Sequence, residues 1–170
     1  MPMSTAEHWS EELAQFITFK LADTCFGVPI EQVLRIERYR PATRVPNAPP
    51  FLEGVTNVHG DIIPVLDLQK RLKVGPGVSN HERARIIIVE AAGQKVGMIV
   101  DDVTGIERFA LAEIEPPPPM IADINGVFLA GIVHREGAML ILLDLARVLT
   151  LAELEELETL HTAPATQDEL

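Results

Sequence analysis

The five histidines are the side chains of this sequence best suited to bind a metal or to move a proton near neutral pH. They stand at positions 8, 59, 81, 134 and 161, and none of them falls in an HxH or HExxH pattern. The single cysteine, Cys25, has no second thiol for a disulfide or a zinc site, and we interpret it as a small buried hydrophobic residue. We therefore predict no metal site and no cofactor, which leaves the lone His59 in the turn "NVHG" to be explained in another way.

The carboxylates do not form a predicted catalytic pair either. Asp101 and Asp102 are adjacent, and neighbouring side chains in a strand point to opposite faces, so we interpret them as a solvated strand end. The sequence lacks the GxSxG, GxGxxG and Walker A patterns. Asp67 and Asp144 each precede a short amphipathic segment, where an aspartate typically caps a first helical turn. We predict that the protein is not an enzyme.

Most of the charge in this sequence is negative, with a formal net charge of −11 at pH 7. The exception is "RIERYRPATR", which contains Arg35, Arg38, Arg40 and Arg44. These arginines form either a solvated strand face, partly neutralised by Glu37, or a basic patch that docks on an acidic partner. The overall charge disfavours a nucleic acid as that partner. No apolar run approaches the about 18 residues of a membrane span, and the N-terminus lacks a basic signal region, so we expect a cytoplasmic protein without membrane insertion.

The sequence repeats itself, and such a repeat determines architecture before any motif does. At an offset of 70 residues, 16–37 align with 86–107, and at an offset of 77, 54–72 align with 131–149. The matched residues include Gly27 and Gly97, Glu37 and Glu107, Gly54 and Gly131, and Asp67 and Asp144. Both offsets keep one order of elements, so the chain contains two copies of the same supersecondary unit.

Each copy consists of short β-branched runs, typical of strands, between turn residues. The turns "VHGDI" and "HREGAM" predict hairpins in which Gly60 and Gly137 take a positive φ. Pro64 has no N–H, so we expect its nitrogen to point away from the ladder or to lie at a bulge. Four or five such strands per copy can close into small barrels that leave no exposed edge. We predict an all-β fold of two small barrels packed together.

The repeat also gives the domain layout. We predict an N-terminal tail (1–12), one domain (13–150) made of the copies 13–73 and 83–150 joined by "VGPGVSN", a C-terminal helix (151–161) and a polar tail (162–170). The helix is predicted because Thr150 and Glu153 have capping-box spacing ahead of regularly placed leucines, and we expect it to dock on a barrel. We interpret the chain as a protein that stands alone rather than part of a larger fusion.

Four segments carry the most specific pattern: "FGVPIEQVLRIE", "PPFLEGVTNVHGDIIPVLDLQKRL", "VGMIVDDVTGI" and "FLAGIVHREGAMLILLDLARVL". In this order and at these distances, from about Phe16 to Leu149, they resemble the CheW family of bacterial chemotaxis adaptors. The resemblance implies two intertwined, five-stranded SH3-like barrels and no catalysis. It also implies two partners, since proteins of this family bridge the regulatory domain of the histidine kinase CheA to the cytoplasmic signalling tips of chemoreceptors.

The resemblance implies a separate surface for each partner. The first is a receptor-binding groove between the barrels, formed by Val33, Arg35, Ile36, Gly54, Asn57 and His59. The second is a kinase-binding edge on the apolar hairpin of the first copy, formed by Ile62, Ile63, Pro64 and Val65. We expect the protein to be recruited to membrane-associated receptor arrays through these surfaces.

Two groove positions depart from the family pattern, which commonly has Glu where this chain has Arg35 and Arg where it has His59. An acid and base pair would thus become two neutral or positive groups, which predicts a changed partner surface in a protein that keeps its fold.

One alternative keeps the fold and places the adaptor in a divergent system that governs pili or gene expression. A lower alternative is a small-molecule-binding barrel, which requires a closed apolar cavity with converging polar groups.

Overall fold

The computed structural model describes residues 13–117, 129–135, 137–149, 153, 155 and 156, and most of these lie in strands. The strands are β1 (Leu13–Leu21), β2 (Thr24–Pro29), β3 (Val33–Arg38), β4 (Leu52–Val58), β5 (Asp61–Asp67), β6 (Arg85–Ala91), β7 (Gln94–Val100), β8 (Asp102–Ala110), β9 (Leu129–Arg135) and β10 (Ala138–Leu143). A short helix, α1 (Leu68–Leu72), follows β5, and 3₁₀ turns occupy Ile30–Gln32, Leu111–Glu113 and Leu145–Arg147. The all-β prediction is confirmed. Within the described part of the chain, no helix has the length and apolar character needed to cross a membrane.

The strands form two five-stranded sheets, and each sheet contains strands from both sequence repeats. One sheet has the order β3-β6-β7-β5-β4 and the other β8-β1-β2-β10-β9. We call them barrel 1 and barrel 2. Exchanging β1 to β5 with β6 to β10 converts one order into the other, so the repeat appears in the fold as a pseudo-twofold. Each repeat gives its first two strands to one barrel and its last three to the other, which confirms the intertwined arrangement.

The described residues form three buried apolar clusters. The largest lies between the two barrels and contains residues of both sheets, among them Phe19, Met98 and Leu143. A second cluster, around Ile86, fills barrel 1, and a third, around Phe109, fills barrel 2. Because the largest apolar core joins the barrels rather than filling either of them, the two barrels are packed as one body.

The hairpin between β4 and β5 turns at His59 and Gly60, whose φ angles are 52° and 93°. Two consecutive positive φ values are characteristic of a type I′ turn. Asn57 supports the turn, because its side-chain oxygen accepts a hydrogen bond from the Gly60 N–H at 2.9 Å. Gly137 in the second hairpin also has a positive φ, 71°. Both glycine predictions are confirmed, while the positive φ of His59 is a feature that the sequence pattern did not indicate.

Pro64 lies where β5 needs no N–H donor. It stands opposite Val55 in the ladder, but the backbone N–H and C=O of Val55 point away from β5 and bond to Thr43 at 2.9 and 2.8 Å. On the other side of β5, the parallel pairing with β7 begins only at Val65. The nitrogen of Pro64 therefore faces away from the β4 ladder, as predicted.

The turns after β5 and β10 both follow an aspartate, but only one of them is capped by it. Asp67 accepts hydrogen bonds from two backbone N–H groups at the start of α1, at 2.9 and 3.4 Å, which confirms the predicted cap. The prediction for Asp144 is wrong, because its side chain accepts no backbone hydrogen bond from the turn that follows. Gln32, 112 residues earlier, donates to Asp144 at 2.7 Å and accepts from the Leu145 N–H at 2.9 Å. A tertiary contact therefore replaces the local cap.

Asp101 and Asp102 point to separate partners, but Asp101 is not the solvated carboxylate that we predicted. It is partly buried and accepts hydrogen bonds from the Ala22 N–H at 2.9 Å and from the Gln69 side chain at 2.6 Å. Asp102 forms an ion pair with Arg83 at 3.2 Å. Asp101 therefore connects the turn between β1 and β2 to α1.

Most of the predicted C-terminal helix (151–161) lies outside the described residues, as do the predicted tails (1–12 and 162–170). Glu153, Glu155 and Glu156 are described, and they are helical. Arg71 of α1 donates to the Val148 carbonyl at 3.0 and 2.8 Å and pairs with Glu153 at 2.8 Å. The chain that leads into this helical segment is thus held against α1.

Candidate partner-binding surface

Strand β3 carries three of the predicted groove residues at one end of the sheet of barrel 1. Val33 and Ile36 pair with Val89 and Ile87, which both belong to the cluster between the barrels. Their side chains therefore lie on the face that is directed at the other barrel. Val33 packs against the cluster, whereas Ile36 is 37% exposed. Together with the neighbouring Leu34, which is 48% exposed, Ile36 forms an accessible apolar strip on β3.

Glu37 brings together the basic residues around the other face of β3. Its carboxylate lies 3.3 Å from His59 Nε2, 3.6 Å from Arg35 Nε and 3.6 Å from Arg40 Nη2. The Glu37 side chain is 15% exposed, while the three basic side chains extend into solvent, so each pair is partly screened. Arg35 and His59 are thus neighbours, as the resemblance implied, but an acid that the prediction left out lies between them.

Arg40 and Glu37 also close barrel 1 where β3 approaches β4. Arg40 Nη1 donates to the backbone carbonyl of Asn57 at 2.7 Å, and Glu37 contacts His59 in the hairpin turn. Further along the chain, Thr43 exchanges two backbone hydrogen bonds with β4. Asn57 and His59 therefore contribute to barrel closure as well as to the exposed surface.

Gly54 contributes to the closure of barrel 1 because it has no side chain. It is buried on β4 with a φ of 155°, and a Cβ placed on it would lie 2.3 Å from the carbonyl oxygen of Thr43. The segment that closes barrel 1 can approach β4 this closely only over a glycine. Gly54 therefore shapes the predicted groove from beneath and presents no side chain to a partner.

Barrel 2 is closed in the same way, by residues that the sequence repeat pairs with those of barrel 1. Glu107, the counterpart of Glu37, forms an ion pair with Arg135 of β9. The backbone of Glu115 exchanges two hydrogen bonds with β9, as Thr43 does with β4. The alignment of Glu37 with Glu107 in the sequence repeat was thus the feature that could have indicated that both glutamates help to close a barrel. The sequence did not indicate the contribution of Thr43, because only its backbone takes part in the closure.

The predicted kinase-binding edge is mostly buried. Ile63 and Val65 belong to the core of barrel 1, and Pro64 is buried as well. Ile62 is 49% exposed, and its counterpart in the second repeat, Met139, is 51% exposed. Of the four residues, Ile62 alone offers a large part of its side chain to a partner.

The interiors of both barrels are filled by side chains. Barrel 1 is packed with valine, isoleucine and alanine, and barrel 2 with phenylalanine, valine and leucine. This packing contradicts the small-molecule-binding alternative, which requires a cavity inside a barrel. Among the residues that the structure describes, no three His, Cys, Asp or Glu side chains are grouped so that they could hold a metal ion. The accessible features are therefore the outer surfaces.

Comparison with known proteins gives one consistent family. The CheW-like domain matches residues 15–153 of this chain. The chemotaxis protein CheW of Klebsiella aerogenes is 31% identical over 82% of this chain and 84% of its own length, and that of Rhizobium meliloti is 31% identical over 89% and 97%. Protein FrzA of Myxococcus xanthus is 34% identical over 72% and 76%. The crystal structure of the scaffolding protein TtCheW from Thermoanaerobacter tengcongensis is similar with a TM-score of 0.74 and 36% identity, over 84% of this chain and 96% of that one.

Proposed function

The chain belongs to the CheW family of chemotaxis scaffolds, and on this premise we propose that it couples chemoreceptor signalling tips to the regulatory domain of a CheA-type histidine kinase. It does so in the cytoplasm, at arrays of membrane-bound receptors, and performs no chemical step itself. One observation carries this proposal: the chain presents separate accessible apolar surfaces on one packed body.

The two surfaces lie on different strands of barrel 1. Ile36 of β3 lies on the face directed at the other barrel, with the exposed Leu34 nearby on the same strand, and Ile62 lies on β5 beside the hairpin turn. In barrel 1, β3 and β5 are separated by β6 and β7 along the sheet and by β4 across the closure. Exposed apolar side chains that form part of a patch are typical of protein–protein contacts. This separation supports an adaptor, because an adaptor has to bind two partners at the same time.

A carboxylate introduced at each surface in turn should separate the two binding activities. We expect Ile36→Asp to weaken binding of the receptor tip about 30-fold, because burial of an isoleucine contributes about 2 kcal/mol, and to leave kinase binding unchanged. Ile62→Asp should have the reverse effect. Both side chains are exposed, so the fold should tolerate either change. Biolayer interferometry of the full chain with a receptor-tip fragment and with the kinase regulatory domain measures both affinities.

In that experiment each variant is the control for the other. Equal losses for both partners in either variant would contradict two separate surfaces. The adaptor function itself would be refuted if the unmodified, folded chain bound neither partner.

A divergent chemosensory pathway is a second candidate, favoured by the arrangement around Glu37. In this chain the acid lies between Arg35 and His59, so the groove presents a different charge pattern from the common family one. We expect the double variant Arg35→Glu, His59→Arg to bind its cognate receptor tip about tenfold less well, since like charges in an interface are unfavourable. Titration calorimetry with that tip measures the change, and kinase affinity serves as the control. Tighter binding by the double variant would argue against a divergent receptor.

A further inference from the structure

The segment from position 35 to position 44 reverses the charge of the rest of the chain. It contains four arginines and one glutamate, whereas the whole chain has a formal net charge of −11. We call these four residues the arginine rim: Arg35, Arg38, Arg40 and Arg44. The Arg35 and Arg40 side chains are 49% and 43% exposed, and Arg38 and Arg44 are exposed residues. Exposed cations concentrated in one short segment of an acidic protein create a local positive potential that attracts an acidic surface.

Half of the arginine rim has no carboxylate to neutralise it. Two of its members share Glu37, but Arg38 and Arg44 make no ion pair with any residue in the described part of the chain. Arg38 also stands directly opposite Arg85 in the pairing of β3 with β6. Like charges at directly opposed strand positions are unfavourable. Arg38 and Arg44 are therefore not explained by the stability of barrel 1.

The equivalent face of barrel 2 indicates that the fold does not require this charge. There the counterpart of Arg38 is Arg108, and the equivalent segment, 105–114, carries Glu107 and Glu113. The pseudo-twofold thus places a basic face on barrel 1 and a mainly acidic face on barrel 2. Since strand order and closure are the same in both barrels, the difference lies in the side chains alone.

We propose that the arginine rim binds carboxylates on the receptor signalling tip, beside the apolar strip formed by Leu34 and Ile36. This inference rests on the proposed adaptor function and specifies its partner: the cognate tip carries an acidic cluster next to an apolar stripe. Arg38 and Ile36 are two residues apart on β3 and pair with Arg85 and Ile87, so they lie on the same face and the rim adjoins the apolar strip. Guanidinium groups suit this partner because they bind carboxylates with two parallel hydrogen bonds. A nucleic acid is disfavoured, because the acidic surface beyond the rim repels an extended chain of phosphates.

A double charge reversal in the rim, compared with a single reversal at the equivalent position on barrel 2, tests this inference. Arg38→Glu with Arg44→Glu changes two exposed arginines that have no described ion pair, and Arg108→Glu changes the exposed counterpart of Arg38. We expect the rim variant to bind a purified receptor-tip fragment about tenfold less tightly, mainly through slower association, and to keep its affinity for the kinase regulatory domain. Arg108→Glu should bind both partners like the unmodified full-length chain. Tip binding by the unmodified chain should weaken as salt is added, and that of the rim variant should weaken less.

The outcomes separate this inference from the function on which it rests. A folded rim variant with unchanged tip affinity, alongside an unmodified chain that binds both partners, overturns the rim assignment and leaves the adaptor function intact. An unmodified chain that does not bind the tip overturns both. Sedimentation velocity adds one comparison. The receptor assignment is wrong if the unmodified chain self-associates, the rim variant does not, and the two proteins bind the tip with equal affinity. In that case the rim binds the acidic face of a second copy.

Discussion

Gly54→Ala is expected to destabilise the protein by about 4 kcal/mol, because one methyl group would force the closing segment away from β4. The new Cβ would lie 2.3 Å from the carbonyl oxygen of Thr43, and that oxygen belongs to the backbone, which cannot swing aside as a side chain would. Thr43 and Val55 would then lose their two mutual hydrogen bonds, now 2.8 and 2.9 Å long. The alanine would also have to adopt a φ near 155°, which is unfavourable for any residue with a Cβ. Urea denaturation of the full chain gives the free energy of unfolding.

Gly105 provides a matched control within the same chain. Its φ is 149°, close to that of Gly54, but a Cβ placed there would meet no atom within 4 Å. Gly105→Ala should therefore show the backbone strain alone, about 1 to 2 kcal/mol. If Gly54→Ala were no more destabilising than Gly105→Ala, the close approach of Thr43 would not be a constraint on the fold.

Asp67→Ala is expected to destabilise the protein by about 3 kcal/mol, because it would leave several backbone N–H groups without an acceptor. One carboxylate oxygen accepts from the first turn of α1, and the other accepts from the Val78 N–H at 2.9 Å in the segment that joins the two repeats. The residue is only 6% exposed, so water does not readily replace these bonds. Asp67→Asn should lie between alanine and the unmodified chain, since an amide can keep one set of bonds but not the other. Thermal and urea unfolding measure all three proteins.

Asp144 is the matched control for this prediction. It occupies the equivalent position after β10, but it holds no N–H of the turn that follows and accepts a hydrogen bond from the Gln32 side chain. Asp144→Ala should therefore destabilise the protein by about 1 kcal/mol. Similar losses at the two positions would mean that the contacts of Asp67 with α1 and Val78 contribute little.

The sequence predicted the strands and hairpins well, because both depend on local patterns. Gly60 and Gly137 were predicted from turn chemistry alone, and the position of Pro64 followed from its missing N–H. The cap at Asp67 is local too and was correct. The cap at Asp144 failed because Gln32, which is distant in sequence, reaches the same turn. No pattern around residue 144 contains that information.

The exchange of strands was implied by the family resemblance rather than by the repeat. A repeated order of strands is compatible both with two separate barrels and with two intertwined ones. The choice depends on which side chains fill the space between the sheets, and this is a property of the whole fold. Phe19, Met98 and Leu143, far apart in the sequence, meet there. Periodicity within one strand cannot predict such a contact.

The candidate surfaces were predicted less completely than the fold. The continuous apolar run Ile62 to Leu66 did not indicate that Ile62 is exposed while Ile63 to Leu66 are all buried. Glu37 was seen only as a partial neutraliser of nearby arginines, although it contacts His59 across the barrel closure. Exposure and closure both depend on how the sheet curves, and a single sequence does not specify that curvature at the level of one residue.

Because each sheet contains strands of both repeats, the sheet topology also determines how the protein unfolds. β3 pairs with β6, and β1 pairs with β8, so neither half of the chain can complete its barrel while the other half is unfolded. Pairings between such distant segments make folding slow and unfolding cooperative. Unfolding of either repeat would remove strands from both barrels and open the core between them. The chain therefore cannot release one partner by unfolding one half while the other half stays bound, and both surfaces persist or disappear together.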